Sequence, residues 1–248
     1  CARLSALGVP TQPTPGPNLS AADLWVWAVK PQVFEQAARA VATYAGAALH
    51  LSVAAGITSD TIAQWLHSQR IVRAMPNTPA LVGLGQTGLF ARPGVAEQDR
   101  ATIEQVLAST GQCLWVDQET MLDAVTALSG SGPAYFFYFI ERMVHVGMAM
   151  GLSAPQARQL AVGTMAGAAE LLRTSSDEPA VLRQKVTSKG GTTHAALTHM
   201  EEKKVGAHFE KAIQKAFIRA AELGLEYGKT PIAQQDRAAP PKERGTNI

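Results

Sequence analysis

Leu24-Trp-Val-Trp-Ala-Val29-Lys30-Pro31 opens the stretch that decides the fold: an apolar run stopped by a lysine and a proline, followed by helical spacing of apolar positions over residues 32–44. The alternation continues with a strand pattern at 48–53, a helical one at 59–66 and another strand at 71–74. Short runs that are apolar on both faces must be buried on both faces, as parallel strands wrapped by helices are. Further on, 87–91 and 113–116 read as strands flanking a helix that carries Ile103, Val106 and Leu107 on one face. Beyond Asp117 the strand signal vanishes, and helical patterns occupy 119–128, 133–150, 154–173, 179–186, 192–200 and 205–227. The expected architecture is an α/β domain over residues 1–117, an all-α domain over 118–229 and a flexible tail over 230–248, where Pro231, Pro240 and Pro241 stand among charges. Gly151 and Gly228 mark expected helix stops, and Ser153-Ala-Pro-Gln156 is a capping-box pattern.

Composition removes several classes of function. With 22 Lys+Arg against 20 Asp+Glu, the net charge of +2 leaves no electrostatic footprint for nucleic acid or anionic lipid. The longest apolar run, 134–140, falls far short of the ~20 residues that cross a bilayer, and the start lacks the shape of a signal peptide. Cys1 and Cys113 cannot build a disulfide framework, so a reducing compartment and a cytoplasmic location are expected. A chain that opens on Cys1 rather than Met also begins mid-pattern, as if a segment upstream had been left out.

In open α/β sheets ligands bind outside the carboxyl ends of the strands. Three such ends are small, proline-fixed or polar here. Ala28-Val29-Lys30-Pro31 places a lysine for a phosphate and a proline for the first helical turn. Val53-Ala54-Ala55-Gly56 lets a flat ring approach the backbone, and Met75-Pro-Asn77-Thr-Pro79 is a rigid loop with a polar amide. Gly83-Leu-Gly85-Gln-Thr-Gly88 has the literal spacing of a dinucleotide fingerprint, but it runs into a strand instead of opening a helix and reads as a turn between strands.

In the helical half, Ser129-Gly-Ser-Gly-Pro133 precedes the aromatic run Tyr135-Phe-Phe-Tyr-Phe139, so 133–150 is expected in a core or a subunit interface. Gly163 and Gly167 suggest tight helix pairing. The sharpest feature is Val186-Thr-Ser-Lys-Gly-Gly-Thr-Thr-His194. Two glycines and two threonines where a helix starts can seat a carboxylate with free N–H groups and hydroxyls, although ordinary helix capping has the same composition. His50, His67, His145, His194, His199 and His208 show no metal-ligand grouping, so no metal is expected; no nucleophile elbow or Walker loop is present either.

Over about residues 20–228 the chain resembles the pyrroline-5-carboxylate reductase family. The likeness rests on Ala28-Val-Lys-Pro31, Ala54-Ala-Gly56, Arg73-Ala-Met-Pro-Asn-Thr-Pro79, Ala127-Leu-Ser-Gly-Ser-Gly-Pro-Ala-Tyr135 and Val186-Thr-Ser-Lys-Gly-Gly-Thr-Thr193 in the family's order. The resemblance implies an NADPH-dependent (NADH possible) reduction of 1-pyrroline-5-carboxylate to L-proline, the last step of proline biosynthesis. It implies a small-molecule substrate and an intertwined homodimer, often assembled further, with the active site between the domains. It places the cofactor on Ala28, Val29, Lys30, Pro31, Val53, Ala54 and Ala55, with Asn77 near the nicotinamide, and the substrate on Ser188, Gly190, Gly191, Thr192 and Thr193. Thr193 is the candidate catalytic contact to the ring nitrogen or carboxylate. Since the cofactor carries the hard step, a missing His/Asp constellation is consistent with this chemistry.

Two departures qualify the likeness. Lys189 stands where the family has proline, which changes loop stiffness or adds a charge. The chain also enters after the family's first strand, Gly-rich phosphate loop and the second strand that selects NADP over NAD. An incomplete Rossmann-like parallel sheet is therefore expected, its first remaining strand separated from the next by ~10–15 Å. The alternatives are a related NADP-dependent imine or β-hydroxyacid reductase, which would carry a catalytic lysine on the helical domain, and a truncated, non-catalytic helical dimer.

Overall fold

The structure, a computed structural model, describes residues 2–227; Gly228 and the expected tail at 230–248 lie outside the described residues. A short helix α1 (Ala2–Ser5) leads to the alternation β1 (Leu24–Trp27), α2 (Pro31–Ala45), β2 (Leu49–Ser52), α3 (Ser59–Leu66), β3 (Ile71–Met75), β4 (Gly85–Ala91), α4 (Glu97–Leu107), β5 (Gly111–Trp115). The five strands form one sheet in spatial order β1-β2-β3-β4-β5. Helices follow: α5 (Met121–Val125), α6 (Gly132–Ala149), α7 (Ala154–Thr174), α8 (Pro179–Lys185), α9 (Thr192–Glu202) and α10 (Val205–Tyr227).

The expected gap between the first two strands does not exist. β1 pairs directly with β2 in parallel, Leu24 opposite Leu49 through Trp27 opposite Ser52. Main-chain bonds from Leu49 N to Asp23 O (2.9 Å) and Val53 N to Trp27 O (3.1 Å) extend the ladder past both ends. Pairing satisfies polar backbone that two separated strands would leave bare. It also sets Trp25 and His50 side by side on the face covered by α2 and α3.

Nor is the sheet wholly parallel. β4 runs antiparallel to β3, Val72 opposite Ala91 and Met75 opposite Gly88, while β5 returns parallel to β4. The link over residues 76–84 holds only a single 3-10 turn (Thr78–Val82), and a parallel return needs a crossover of about a dozen residues or more. The literal glycine pattern is consequently not a turn between strands: Gly83 caps the 3-10 turn, and Gly85 to Gly88 form β4 itself.

Each face of the sheet has its own core. Trp27, Phe34, Ile62, Trp65, Leu66 and Ile71 pack on one side. Leu49, Leu51, Val72, Leu89 and Ile103 pack on the other, joined by Leu107, whereas Val106 points to solvent instead of sharing that face.

In the helical half the pattern at 119–128 becomes the short α5 and a π-turn over Thr126–Gly130, closed by Ser131 N to Thr126 O at 2.8 Å. The Thr126 hydroxyl donates back to Leu122 O at 2.7 Å, a local competitor that opens a helical turn. The Ser153–Gln156 capping box forms, with Ser153 N donating to Gln156 Oε1 at 2.9 Å. Gly147 passes over Ala157 where α6 meets α7, but among the described residues no other element comes within 4 Å of where a Cβ on Gly163 or Gly167 would stand. Phe136, Phe137 and Tyr138 of α6 are each more than half exposed, which leaves a large apolar face for another surface.

Candidate functional site

Parallel pairing of β1, β2 and β3 puts their carboxyl ends side by side, and the helical segment closes over them. At the first end Lys30 is the N-cap of α2 and Pro31 its first residue; Ala28 and Lys30 are exposed and Val29 half-buried. At the second end Ala54 is buried and Gly56 adopts φ 76°, where a side chain would be strained. A Cβ on Gly56 would also stand 3.0 Å from Leu223 O and 3.1 Å from the Tyr227 ring, so the last turn of α10 rests on this strand end. Gln32 Nε2 donates to the Tyr227 hydroxyl at 3.1 Å, tying α10 to the start of α2 as well. A crevice of about 20 Å³ remains between Ala54, Ala55, Met75, Leu122 and Ala220.

At the third end Asn77 is committed to the protein's own framework. Its Nδ2 donates to Ser129 Oγ (3.0 Å) and Ser129 O (3.3 Å), and its Oδ1 accepts from Gln86 N (2.9 Å). These bonds join the β3 loop to the helical segment. Beside it lies an apolar cavity of about 670 Å³, lined by Asn77, Gly88, Val125, Ser129, Pro133 and Phe136 among others.

A charged cluster borders the same cleft. Arg73, on β3, pairs with Glu119 at 2.7 Å, and Glu119 also accepts from the Ser59 main chain and hydroxyl, each at 2.6 Å. Burial pushes the Asp123 carboxyl above the usual carboxylate range, with Arg73 drawing it down and Glu119 raising it. With Gly56, Thr58 and Gly224, these side chains line a cavity of about 430 Å³. Sequence reading passed over Glu119 and Asp123, because a carboxylate just after the last strand carries no local signature.

The candidate substrate residues stand apart. Ser188, Gly190 and Thr192 are exposed and Gly191 and Thr193 half-buried, on the turn between α8 and α9. Gly190 has φ 75° and Gly191 is the N-cap of α9, as an N–H seat requires. Among the described residues no hydrogen bond or ion pair joins this turn to the sheet, and none of its residues lines the cavities above. Lys189 is exposed and forms no ion pair among the described residues. No group of three or more His, Cys, Asp or Glu that could hold a metal occurs among the described residues.

A mostly parallel sheet with helices on both faces, its strand ends roofed by a helical segment, defines a two-part oxidoreductase of Rossmann-like plan. Residues 119–223 match the family described as pyrroline-5-carboxylate reductase dimerisation. A pyrroline-5-carboxylate reductase of Pseudomonas aeruginosa is 41% identical over 210 residues, covering 84% of this chain and 77% of that one. The structure of the corresponding reductase of Coxiella burnetii superposes with TM-score 0.83 at 35% identity, covering 92% of this chain and 84% of that one. A Plasmodium falciparum pyrroline carboxylate reductase with NADP bound superposes at TM-score 0.77 and 28% identity, covering 83% of this chain and 79% of that one. The chain belongs to the pyrroline-5-carboxylate reductase family.

Proposed function

We propose that the protein transfers a hydride from NADPH, or from NADH, to the C=N carbon of 1-pyrroline-5-carboxylate, whose nitrogen keeps a proton, giving L-proline. The observation that carries this reading is the alignment of the Ala28–Pro31, Val53–Gly56 and Met75–Asn77 strand ends in a chain so close to the Pseudomonas aeruginosa reductase.

The residues at these ends suit a nicotinamide cofactor. Ala28, Val29, Val53, Ala54 and Ala55 offer a small apolar bed for a flat ring, and the exposed Lys30 at the start of α2 offers a positive charge to a phosphate. Bound there, the cofactor supplies the hydride. Asn77 acts through its framework bonds, holding the β3 loop against Ser129. Ser188, Gly190, Gly191, Thr192 and Thr193 hold the substrate carboxylate, with the Thr193 hydroxyl on the ring nitrogen or carboxylate. In this division of labour residues 1–117 serve the cofactor, and 118–229 serve the substrate and the dimer.

Within one chain no hydrogen bond or ion pair among the described residues joins the substrate turn to the strand ends. The exposed aromatic face of α6, in a segment of the dimerisation family, is where a second copy seats, so the reading requires the homodimer to bring the two together. None of the three cavities along the cleft is lined by lysine, so nothing there favours the hydroxyacid-type alternative. No described helix is long and apolar enough to cross a membrane, and Cys113 is a free thiol, which supports a cytoplasmic location.

The test follows NADPH absorbance on adding 1-pyrroline-5-carboxylate to the purified protein, with proline identified as product. Turnover to proline is expected; NADPH binding without turnover overturns the reading.

A further inference from the structure

We propose that Glu119 is a positioning residue for the hydride transfer: its carboxylate, shared by Arg73 and both donors of Ser59, sets the angle between the sheet and the helical segment. This rests on the reductase reading above and adds to it a residue that touches neither the proposed cofactor bed nor the substrate turn.

Glu119 is the first residue of the segment matched to the dimerisation family. Its Oε1 accepts from Arg73 Nη1 at 2.7 Å and Ser59 N at 2.6 Å, and its Oε2 accepts from Ser59 Oγ at 2.6 Å. Those donors belong to β3 and to the first turn of α3, so the first side chain of the helical segment is bolted to two elements of the sheet half. Arg92 supports the arrangement, reaching Ser59 Oγ at 3.5 Å and pairing with Asp60. The Arg73 and Glu119 side chains are only 13% and 21% exposed, so solvent and salt screen them little.

A second link between the same halves is the Asn77–Ser129 contact. Arg73 and Asn77 are roughly 13 Å apart along extended backbone, at ~3.3 Å per residue. One contact is a pivot, whereas two at that separation also fix a rotation. α10 also packs closely on the Gly56 strand end, where a Cβ would stand 3.0 Å from Leu223 O. Release of Glu119 would remove the charged link and leave the helical segment held by Asn77, the Gln32–Tyr227 bond and the packing at Gly56 and Gly88, so a small shift of that segment relative to the strand ends is the expected consequence. Hydride transfer needs reacting atoms ~3–3.5 Å apart, and a misplacement of about 1 Å costs about a hundredfold in rate. Geometry of this kind suits a half-buried ion pair, which contributes little net stability but specifies one arrangement well.

The experiment compares the wild-type chain with Glu119→Gln, an isosteric change that removes the charge opposite Arg73. Expected is a loss of kcat of about ten- to a hundredfold with KM for both reactants within about twofold, since no proposed ligand contact changes. Amide hydrogen exchange over residues 59–62 should speed up in the same variant while the rest of α3 keeps its protection. Unchanged kcat, or a loss fully accounted for by the unfolded fraction, overturns the proposal. Should Glu119→Gln fail to fold, Ser59→Ala removes one of the three donors, and a smaller loss of kcat, of about two- to fivefold, is expected there; an unchanged kcat overturns the proposal. If the wild type itself does not reduce 1-pyrroline-5-carboxylate, the functional reading falls and positioning for hydride transfer falls with it. The exchange data then still report whether Glu119 holds the two halves, so the two failures are told apart.

Discussion

Asn77 Nδ2 lies 3.0 Å from Ser129 Oγ and 3.3 Å from the Ser129 carbonyl, a contact across 52 residues that joins the loop after β3 to the π-turn before α6. One amide thus serves three partners, since its oxygen also holds Gln86 N. Asn77→Asp keeps that acceptor but removes the donor to Ser129 and sets a carboxylate against a carbonyl. It should destabilise the protein by about 1–3 kcal/mol, read by denaturant unfolding, and lower kcat more than it raises KM. A variant with wild-type stability and turnover would show that the contact is incidental.

Thr193→Val should remove one hydrogen bond to the charged substrate while leaving the dimer and NADPH binding intact. A loss of about ten- to a hundredfold in kcat/KM is expected from steady-state kinetics, equivalent to about 1.5–3 kcal/mol. Retention of full efficiency would move the substrate away from the α8–α9 turn.

Gly88 leaves no room for a side chain, because a Cβ there would lie 2.7 Å from Val125 Cγ1. Gly88→Ala should cost about 1–3 kcal/mol through overpacking of β4 against α5, measured as a lower midpoint of thermal unfolding. An unchanged midpoint would mean that α5 shifts without penalty.

His50 is fully buried on the sheet, and its Nδ1 accepts from the Trp27 indole at 3.2 Å. Burial, with Arg70 nearby, lowers its pKa to about 4. In the unfolded chain the imidazole takes a proton near pH 6.5, so below that pH the unfolded state binds more protons and stability falls until about pH 4. His50→Gln should flatten the stability profile over that window while being less stable at pH 7. A wild-type profile that is already flat between pH 6.5 and 4 would contradict the assigned burial.

Asp99 shows the opposite linkage. Arg70 grips it through two nitrogens at 2.6 and 3.3 Å, and its Oδ2 accepts from Ala96 N at 3.1 Å, so its carboxyl is held below the usual range. The stabilisation is present above the unfolded carboxylate pKa of ~4 and disappears as the pH falls through the lower folded value. Asp99→Asn should therefore be destabilising at pH 7, by about 1–3 kcal/mol, with a penalty that shrinks as the pH is lowered below ~4. A penalty that does not change with pH would assign the effect to packing rather than charge.

Much of this architecture is legible locally. The helices at 59–66 and 205–227 coincide with their apolar spacing, Ser153 and Gln156 form their capping box, and Gly190 takes the positive φ that the Gly-Gly turn implied. Other features left no mark on nearby residues. Nothing around Asn77 announces Ser129, 52 residues away, and nothing around Glu119 announces Ser59, which lies 60 residues away. The glycines at 85–88 mimic a phosphate loop in pattern, and only the neighbours of β4 show that they make room for Val125 and Thr110.

Period, capping and turn chemistry act over a few residues, so strands, helices and the Gly190–Gly191 turn that starts α9 follow from the chain alone. Sheet order, strand direction and the ion pairs of the cleft depend on which distant surfaces meet once long loops have closed, and the free energy of that choice is shared among many residues. Direct β1–β2 pairing, the reversal of β4, the burial of His50 and the Arg73–Glu119–Ser59 cluster all belong to this second kind. So does the position of the α8–α9 turn, which no hydrogen bond or ion pair joins to the sheet among the described residues.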